Sequence, residues 1–522
     1  SFHTLNIQGK NRKELHGDVS LSGDFILGDT IRYFNCKTHQ VASSNGLGSF
    51  HLGSTELYIR GASNFPANFA SYNAATNSQT LYDAAMDQDI AAINYGRLDL
   101  ASGGTKTLQG DVDISHHLVI EDNTTLDVSS NNYRIRLGGG FYNDRGGKFL
   151  ARQGELILDG KEDVIGFRQD VYLSMEHANT FHKLTINRSD GNRVRMRKAD
   201  YTVNDNLRIL NGQFKQESDV TATLYGDMSA LGGQFMPFGT YSLEKTGGVA
   251  YLQMNNSTLH HLVINAGATY KLQDDMALNG NFNLQSGTFE ANGHTVSLTG
   301  GGQIAEVAGI YKTGEGGRLE ISNNSTFSIL SGAEFFLIGA KGNRSEVTNY
   351  NGTYYFNVES GGLLHAEYYH FSGMAASGIY LKSGALIDNN HNLSNGMFSN
   401  GRSGGTYLRI ENEAELTLAN GRPVRNVSFL NNPGGGAVNV AKTNALNGQI
   451  DFYNYSGDFG GEDYDDDPNE LINWVGNIVL TWSGDKNSDW FDPENWAQEY
   501  GPDTIPAPGI DAVIPQTTNQ PA

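Results

Sequence analysis

The sequence predicts an all-β chain, a right-handed parallel β-helix (solenoid) followed by the start of a small Trp-rich β module. Three observations carry that reading: short stretches of alternating apolar residues recur along most of the 522 residues, clusters of Gly, Asn, Ser and Asp separate them, and spacings of ten and twenty residues recur inside larger blocks. Period-two alternation puts the apolar side chains on one face of a strand. Glycine and asparagine accept the positive φ that a sharp turn needs, and glycine occupies 64 positions.

The first element is an anchor, 2–7 (FHTLNI), which recurs as 95–100 (YGRLDL), 181–186 (FHKLTI) and 259–264 (LHHLVI); its leucines Leu5, Leu98, Leu184 and Leu262 stand 93, 86 and 78 residues apart. The second is the continuation, 13–27 (KELHGDVSLSGDFIL), repeated in 106–120, 194–209 and 270–284. Leu15, Leu108 and Leu272 sit ten residues past their anchor leucine, and Phe25, Leu118 and Phe282 sit twenty past it. A third element comprises 57–61 (LYIRG), 156–160 (LILDG) and 319–321 (LEI). Blocks of this size read as about four coils each, at 1–94, 95–180, 181–258 and 259–340, with equivalent apolar residues stacked coil on coil. A string of β-sandwiches of about 85 residues is the competing architecture; the ten- and twenty-residue spacings favour the solenoid. Helix-like spacing is best at 82–92 (YDAAMDQDIAA), where a short helix competes with strand.

After 322 the blocks lose register, although 361–364 (GGLL), 384–387 (GALI) and 413–418 (EAELTL) keep a small-residue turn followed by a strand, so the solenoid is expected to continue to 470 through irregular coils. All four tryptophans, Trp474, Trp482, Trp490 and Trp496, lie beyond that point with six of the eleven prolines. Residues 471–522 therefore read as a Trp-rich linker or the start of a following β domain.

Composition narrows the function. A net charge of −21 disfavours nucleic acid as a partner, and no apolar run is long enough to span a bilayer as a helix. Cys36 is the single cysteine, which rules out an intrachain disulfide and a cysteine-held metal. The chain opens on Ser1-Phe2-His3 and reads as a fragment of something larger, with any export signal outside it.

The acidic stretch with Asp463, Asp465, Asp466 and Asp467 offers hard oxygen ligands for calcium, the one ion the sequence suggests, but Pro468 stands where an EF-hand would place its turn glycine. No other cofactor is expected. Trp482, Trp490 and Trp496 could form a platform for sugar rings or the core of a small domain or cap. Asp274 and Asp275 occupy the repeat position of Gly17/Asp18 and Gly110/Asp111 and read as a polar turn, and Arg193, Arg195, Arg197 and Lys198 read as a solvated strand face. The anchor histidines His3, His182, His260 and His261 are replaced by Gly96 in one block, which suits packing better than catalysis. His116, His117 and His294 stand without an HExxH or HxH spacing. No catalytic residues are assigned.

The anchor pattern F-H-x-L-x-I, the G-D-V-x-I continuation, 458–468 (DFGGEDYDDDP), 481–496 (TWSGDKNSDWFDPENW) and 511–515 (DAVIP) resemble large cell-surface, adhesin-like proteins of Bacteroidota, cargo of the type IX secretion system of the gliding-associated kind. The resemblance implies a non-enzymatic structural or adhesive segment at the cell surface or outside it, with the type IX outer-membrane translocon as partner during export and glycans or surfaces as partners afterwards. Because pectate lyases, polygalacturonases and alginate lyases also use right-handed β-helices, a polysaccharide lyase or hydrolase acting on acidic glycans is the alternative.

Overall fold

In the computed structural model, residues 2–143, 145–160, 170–189, 193–411, 422–430, 438–444, 448–476, 479–497, 505–506 and 511–521 are described. Among them the chain is strand after strand, interrupted by two single 3₁₀ turns, Glu462–Tyr464 and Pro493–Asn495, and by no α-helix. The strands stack in parallel as a β-solenoid of about 19 turns. No helix among the described residues is long and apolar enough to cross a membrane. The chain divides into two compact units, Ser1–Thr246 with Ala250–Leu262, and Gly247–Val249 with Val263–Ala522.

In the first unit one parallel sheet gathers eleven strands, each one coil on from its neighbour. Its register aligns Phe34, Leu57, Thr80, Leu98, Leu118, Phe141, Leu173 and Met196 in a single file, all buried. The twenty-residue offset is therefore one coil: Leu5 pairs with Phe25, and Leu98 with Leu118. The anchors themselves are not structural equivalents, since Leu5, Leu98 and Leu184 lie in three different sheets. The coil is the repeating unit, and the longer blocks drift because coils differ in length. Segment 82–92 is not helical. It holds the end of strand Gln79–Asp83 and the whole of strand Gln88–Ile90, because Tyr82 is held between Ile59 and Leu100 of the adjoining coils and sheet packing overrides local preference.

In the second unit the stacked strands form three files. One file runs Phe282, Ala305, Phe327, Phe356, Ile379, Leu408, Val440; another runs Phe289, Tyr311, Phe335, Leu364, Ile387; the third runs Val296, Leu319, Val347, Phe371, Phe398, Phe429. Aromatic rings stack along these files, as between Phe327 and Phe356 (5.4 Å, 7°) and between Phe398 and Phe429 (5.3 Å, 4°). Burying one such side chain is worth about 2 kcal/mol. The turn-plus-strand pairs read at 361–364 and 384–387 lie on consecutive coils, Leu363 opposite Leu386 and Leu364 opposite Ile387. Segment 413–418 lies outside the described residues.

Turns fix the coil spacing. Gly48, at φ 80°, lies so close to the preceding coil that a Cβ would strike the Gly23 backbone, a place only glycine fits. Aspartates stitch neighbouring coils: Asp18, Asp111, Asp200, Asp227 and Asp275 each accept the backbone amide of a residue one coil later, Gln40, Arg134, Thr221, Tyr251 and Thr295, at 2.7–2.9 Å.

Stacking continues to Ile472–Val475, which pairs in parallel with Ile450–Tyr453 and lays Trp474 on Phe452 (4.7 Å, 22°). A small β module follows, in which Val479–Trp482 pairs antiparallel with Trp496–Ala497 and parallel with Asp511–Val513. Leu480, Trp482 and Trp496 form its core, with Trp490 and Ile505 packed against it.

Candidate functional site

The acidic loop uses two of its carboxylates internally. Trp474 Nε1 donates to Asp465 Oδ2 at 2.7 Å, and Ile472 N donates to Asp467 Oδ2 at 2.6 Å, alongside Leu471 N. Asp467 Oδ1 is buried without a protein hydrogen-bond partner. Burial pushes the Asp465 carboxyl up to about 6, with Glu462, Asp467 and Asp466 adding to it against the Trp474 hydrogen bond. Among the described residues the oxygens of Asp463, Asp465, Asp466 and Asp467 do not converge as a set of three or more donors. Of the tryptophans read as a sugar platform, Trp482 and Trp496 are buried with rings 5.0 Å apart at 79°. Their indole N–H groups donate to the carbonyls of Asn519 and Trp490. Two of the three rings are thus turned inward and present no open face.

The basic run is a strand face, clamped from the preceding coil. Arg193 Nε lies 2.9 Å from Asp170 Oδ1 and Arg195 3.3 Å from Asp170 Oδ2, while Arg197 lies over the Tyr172 ring at 4.1 Å. The anchor histidines are scattered: His3 contacts Ser22 (3.1 Å), and His182 lies 3.8 Å from Asp205. His260 and His261 lie ring to ring at 4.0 Å, where burial and the neighbouring ring lower His261. His117 Nδ1 accepts the Gly140 amide at 2.9 Å, and His294 lies 3.8 Å from Asp275.

The second unit brings together two arrangements that the sequence reading did not single out. The first is a groove of about 450 Å³ lined by Lys341, Arg344, Tyr368, Asn395, Asn426 and Asn454. The last four each follow a core-facing strand by one residue, one per coil, with φ of 48°, 58°, 57° and 55°. Asparagine tolerates that left-handed region because its amide satisfies local hydrogen bonds. Here the amides form a ladder: Asn426 Nδ2 donates to Asn395 Oδ1 at 2.8 Å, and Asn454 Nδ2 to Asn426 Oδ1 at 2.6 Å. The backbone repeats the pattern, as Asn395 N, Asn426 N and Asn454 N donate to the carbonyls of Arg425, Tyr453 and Val475. Lys341 and Arg344 stand exposed beside the ladder on a tight turn closed by reciprocal hydrogen bonds between Ala340 and Asn343.

The second arrangement lies on the strands that lead into the groove. Glu334–Ile338, Leu363–Glu367 and Leu386–Ser394 are successive strands of one file, and they place Glu334, His365, Glu367, Asp388 and His391 side by side. Nδ1 of His391 lies 2.8 Å, and Nδ1 of His365 3.5 Å, from Asp388 Oδ2. Burial pushes the Asp388 carboxyl up, but hydrogen bonds from the His391 and Asn390 amides and the His391 ring outweigh it and hold the group below its ordinary value. Glu367 joins the two arrangements: Oε1 accepts Asn395 Nδ2 at 3.1 Å, and Oε2 lies 3.9 Å from His391 Nε2.

No protein-family model matches the chain, and no curated protein or solved structure matches it. The sequence did hold one signal for the histidine cluster. Continuing 361–364 and 384–387 by a few residues sets GGLLHAE over GALIDNNHN, which aligns His365 with Asp388 and exposes the inserted residues that bring His391 back.

Proposed function

We propose that this chain is a non-enzymatic, extracellular structural and adhesive segment of a large secreted bacterial surface protein, exported by the type IX secretion system, and that its adhesive contact is with acidic glycans. The groove carries this reading. In a chain of net charge −21 it sets two exposed cations, Lys341 and Arg344, beside Tyr368 and a file of asparagine amides. Arginine suits carboxylate or sulfate oxygens, an aromatic ring suits the apolar face of a sugar, and amides suit hydroxyls through both donor and acceptor. One ladder residue per coil gives these groups the repeat of a polymer, so weak contacts add along one glycan chain. The export route and the surface location rest on the sequence resemblance.

The test is titration of the full chain with uronate and sulfated oligosaccharides, set against neutral ones. Binding should favour the acidic ligands, weaken with salt, and fall roughly tenfold for K341A/R344A, as expected for loss of two charge-assisted contacts. Absence of binding across the panel, or equal binding by the variant, would sink the adhesive reading. Depolymerisation of the same oligosaccharides would replace it with the lyase or hydrolase.

A further inference from the structure

We infer that His365, Asp388 and His391 form a binding site for a divalent transition metal of the zinc class. Strand Leu386–Ser394 pairs with Leu363–Glu367 as Leu364 to Ile387 and then Ala366 to Asn392, so the residues from Asp388 to His391 bulge out opposite His365 alone. A bulge of this kind re-aims side chains at the cost of ladder hydrogen bonds. Here it turns Asp388 and His391 onto the ring of His365. Ligand atoms of the three residues all lie within 4.8 Å of one another, and the two Nδ1 to Oδ2 separations are 2.8 and 3.5 Å. Four-coordinate zinc with bonds of about 2.0–2.1 Å needs ligand atoms roughly 3.3–3.5 Å apart, so small side-chain rotations suffice.

The outer nitrogens strengthen the assignment. His365 Nε2 lies 3.2 Å from Glu334 Oε2, and His391 Nε2 lies 3.9 Å from Glu367 Oε2. Both rings thus present Nδ1 to the centre; Nε2 of His365 is within hydrogen-bond reach of Glu334, the pairing that fixes the tautomer and raises the basicity of metal-bound histidine, whereas Nε2 of His391 faces Glu367 from beyond hydrogen-bond distance. The His365 ring is further set by Phe336 of the coil before, parallel at 3.8 Å and 7°. Arg422 fastens the far side of the bulge through the Asn389 carbonyl (2.7 Å) and Asn390 Oδ1 (2.8 Å). Two imidazoles and one carboxylate favour zinc over calcium or magnesium, which prefer oxygen. They leave a fourth position for water or a ligand oxygen. This site is independent of the glycan reading, and either stands if the other fails.

The experiment is calorimetric titration of the chelator-treated full chain with ZnCl₂, with Co²⁺ as a spectroscopic stand-in. One equivalent should bind, with visible Co²⁺ bands of a tetrahedral centre. H391A and D388N should each weaken Zn²⁺ by on the order of 100-fold and E367Q by about tenfold, while H260A/H261A keeps the site. In the unmodified chain, Zn²⁺ should also shield His391 from diethyl pyrocarbonate, read by mass spectrometry, which requires no variant to fold. No stoichiometric binding, equal binding by H391A and D388N, or unshielded His391 would each overturn the assignment.

Discussion

Replacing Asn426 separates what the asparagine ladder contributes from what its backbone conformation costs. Its side chain donates one ladder hydrogen bond (2.8 Å) and accepts another (2.6 Å), at φ 57°. Asn426→Ala removes both, at about 1 kcal/mol each, and places a Cβ-bearing residue without a local partner in the left-handed region, at about 1–2 kcal/mol. The expected loss is about 3–4 kcal/mol. Asn426→Gly loses the same hydrogen bonds and relieves the strain, but adds about 0.5–1 kcal/mol of chain entropy, so it should recover about 0.5–1 kcal/mol of the alanine loss. Asn426→Asp tolerates the backbone and still accepts from Asn454, yet cannot donate to Asn395, and should fall between wild type and alanine. Urea unfolding would give the totals, and hydrogen exchange at the amides of Asn395, Asn426 and Asn454 would localise them. If alanine and glycine both stay within about 0.5 kcal/mol of wild type, the ladder holds nothing and the reasoning fails.

Three further outcomes follow from the packing and the titrating groups. Phe398, 1% exposed between Phe371 and Phe429, should cost about 4 kcal/mol as Phe398→Ala but about 1–2 kcal/mol as Phe398→Leu, which loses mainly ring contacts; equal costs in urea unfolding would contradict a stacking role. Asp465 binds its proton more tightly folded than unfolded, so its contribution is most favourable below its ordinary value of 3.8, declines as pH rises through about 6, and is flat above that. Its partial solvent contact cuts the size to about 1 kcal/mol, and Trp474 emission should titrate near pH 6 and lose that step in Asp465→Asn. Cys36 is buried, which pushes its thiol up to about 12, so a disulfide reagent should modify the native chain roughly 100-fold more slowly than the urea-unfolded one; similar rates would contradict the burial.

The solenoid was legible because alternation and turn residues are local, and because the twenty-residue offset from Leu98 to Leu118 is a real neighbour pair. The larger blocks were not a structural unit, since anchor residues recur in sequence while varying coil lengths carry them onto different sheets. Tryptophan placement located the small β module, although Trp474 belongs to the stack on Phe452. The candidate sites were hidden for a related reason. Their residues come from successive coils, so Asn395, Asn426 and Asn454 look like ordinary turn asparagines, and His365 meets Asp388 and His391 only once Leu364 is registered against Ile387. Asp275, in the polar turn that the sequence predicts at Asp274 and Asp275, accepts the Thr295 amide at 2.7 Å.

The aspartate stitches give assembly a direction. In each, the acceptor belongs to the earlier coil and the donor to the later one, as from Asp18 to Gln40 and from Asp275 to Thr295. At each stitch a completed coil therefore carries a carboxylate waiting for an amide that has not yet arrived. A chain delivered amino end first can lay down one coil at a time, each serving as the template for its successor, because contacts in a solenoid are made with nearest neighbours. Reversing the order of arrival would present amides before the carboxylates meant to receive them.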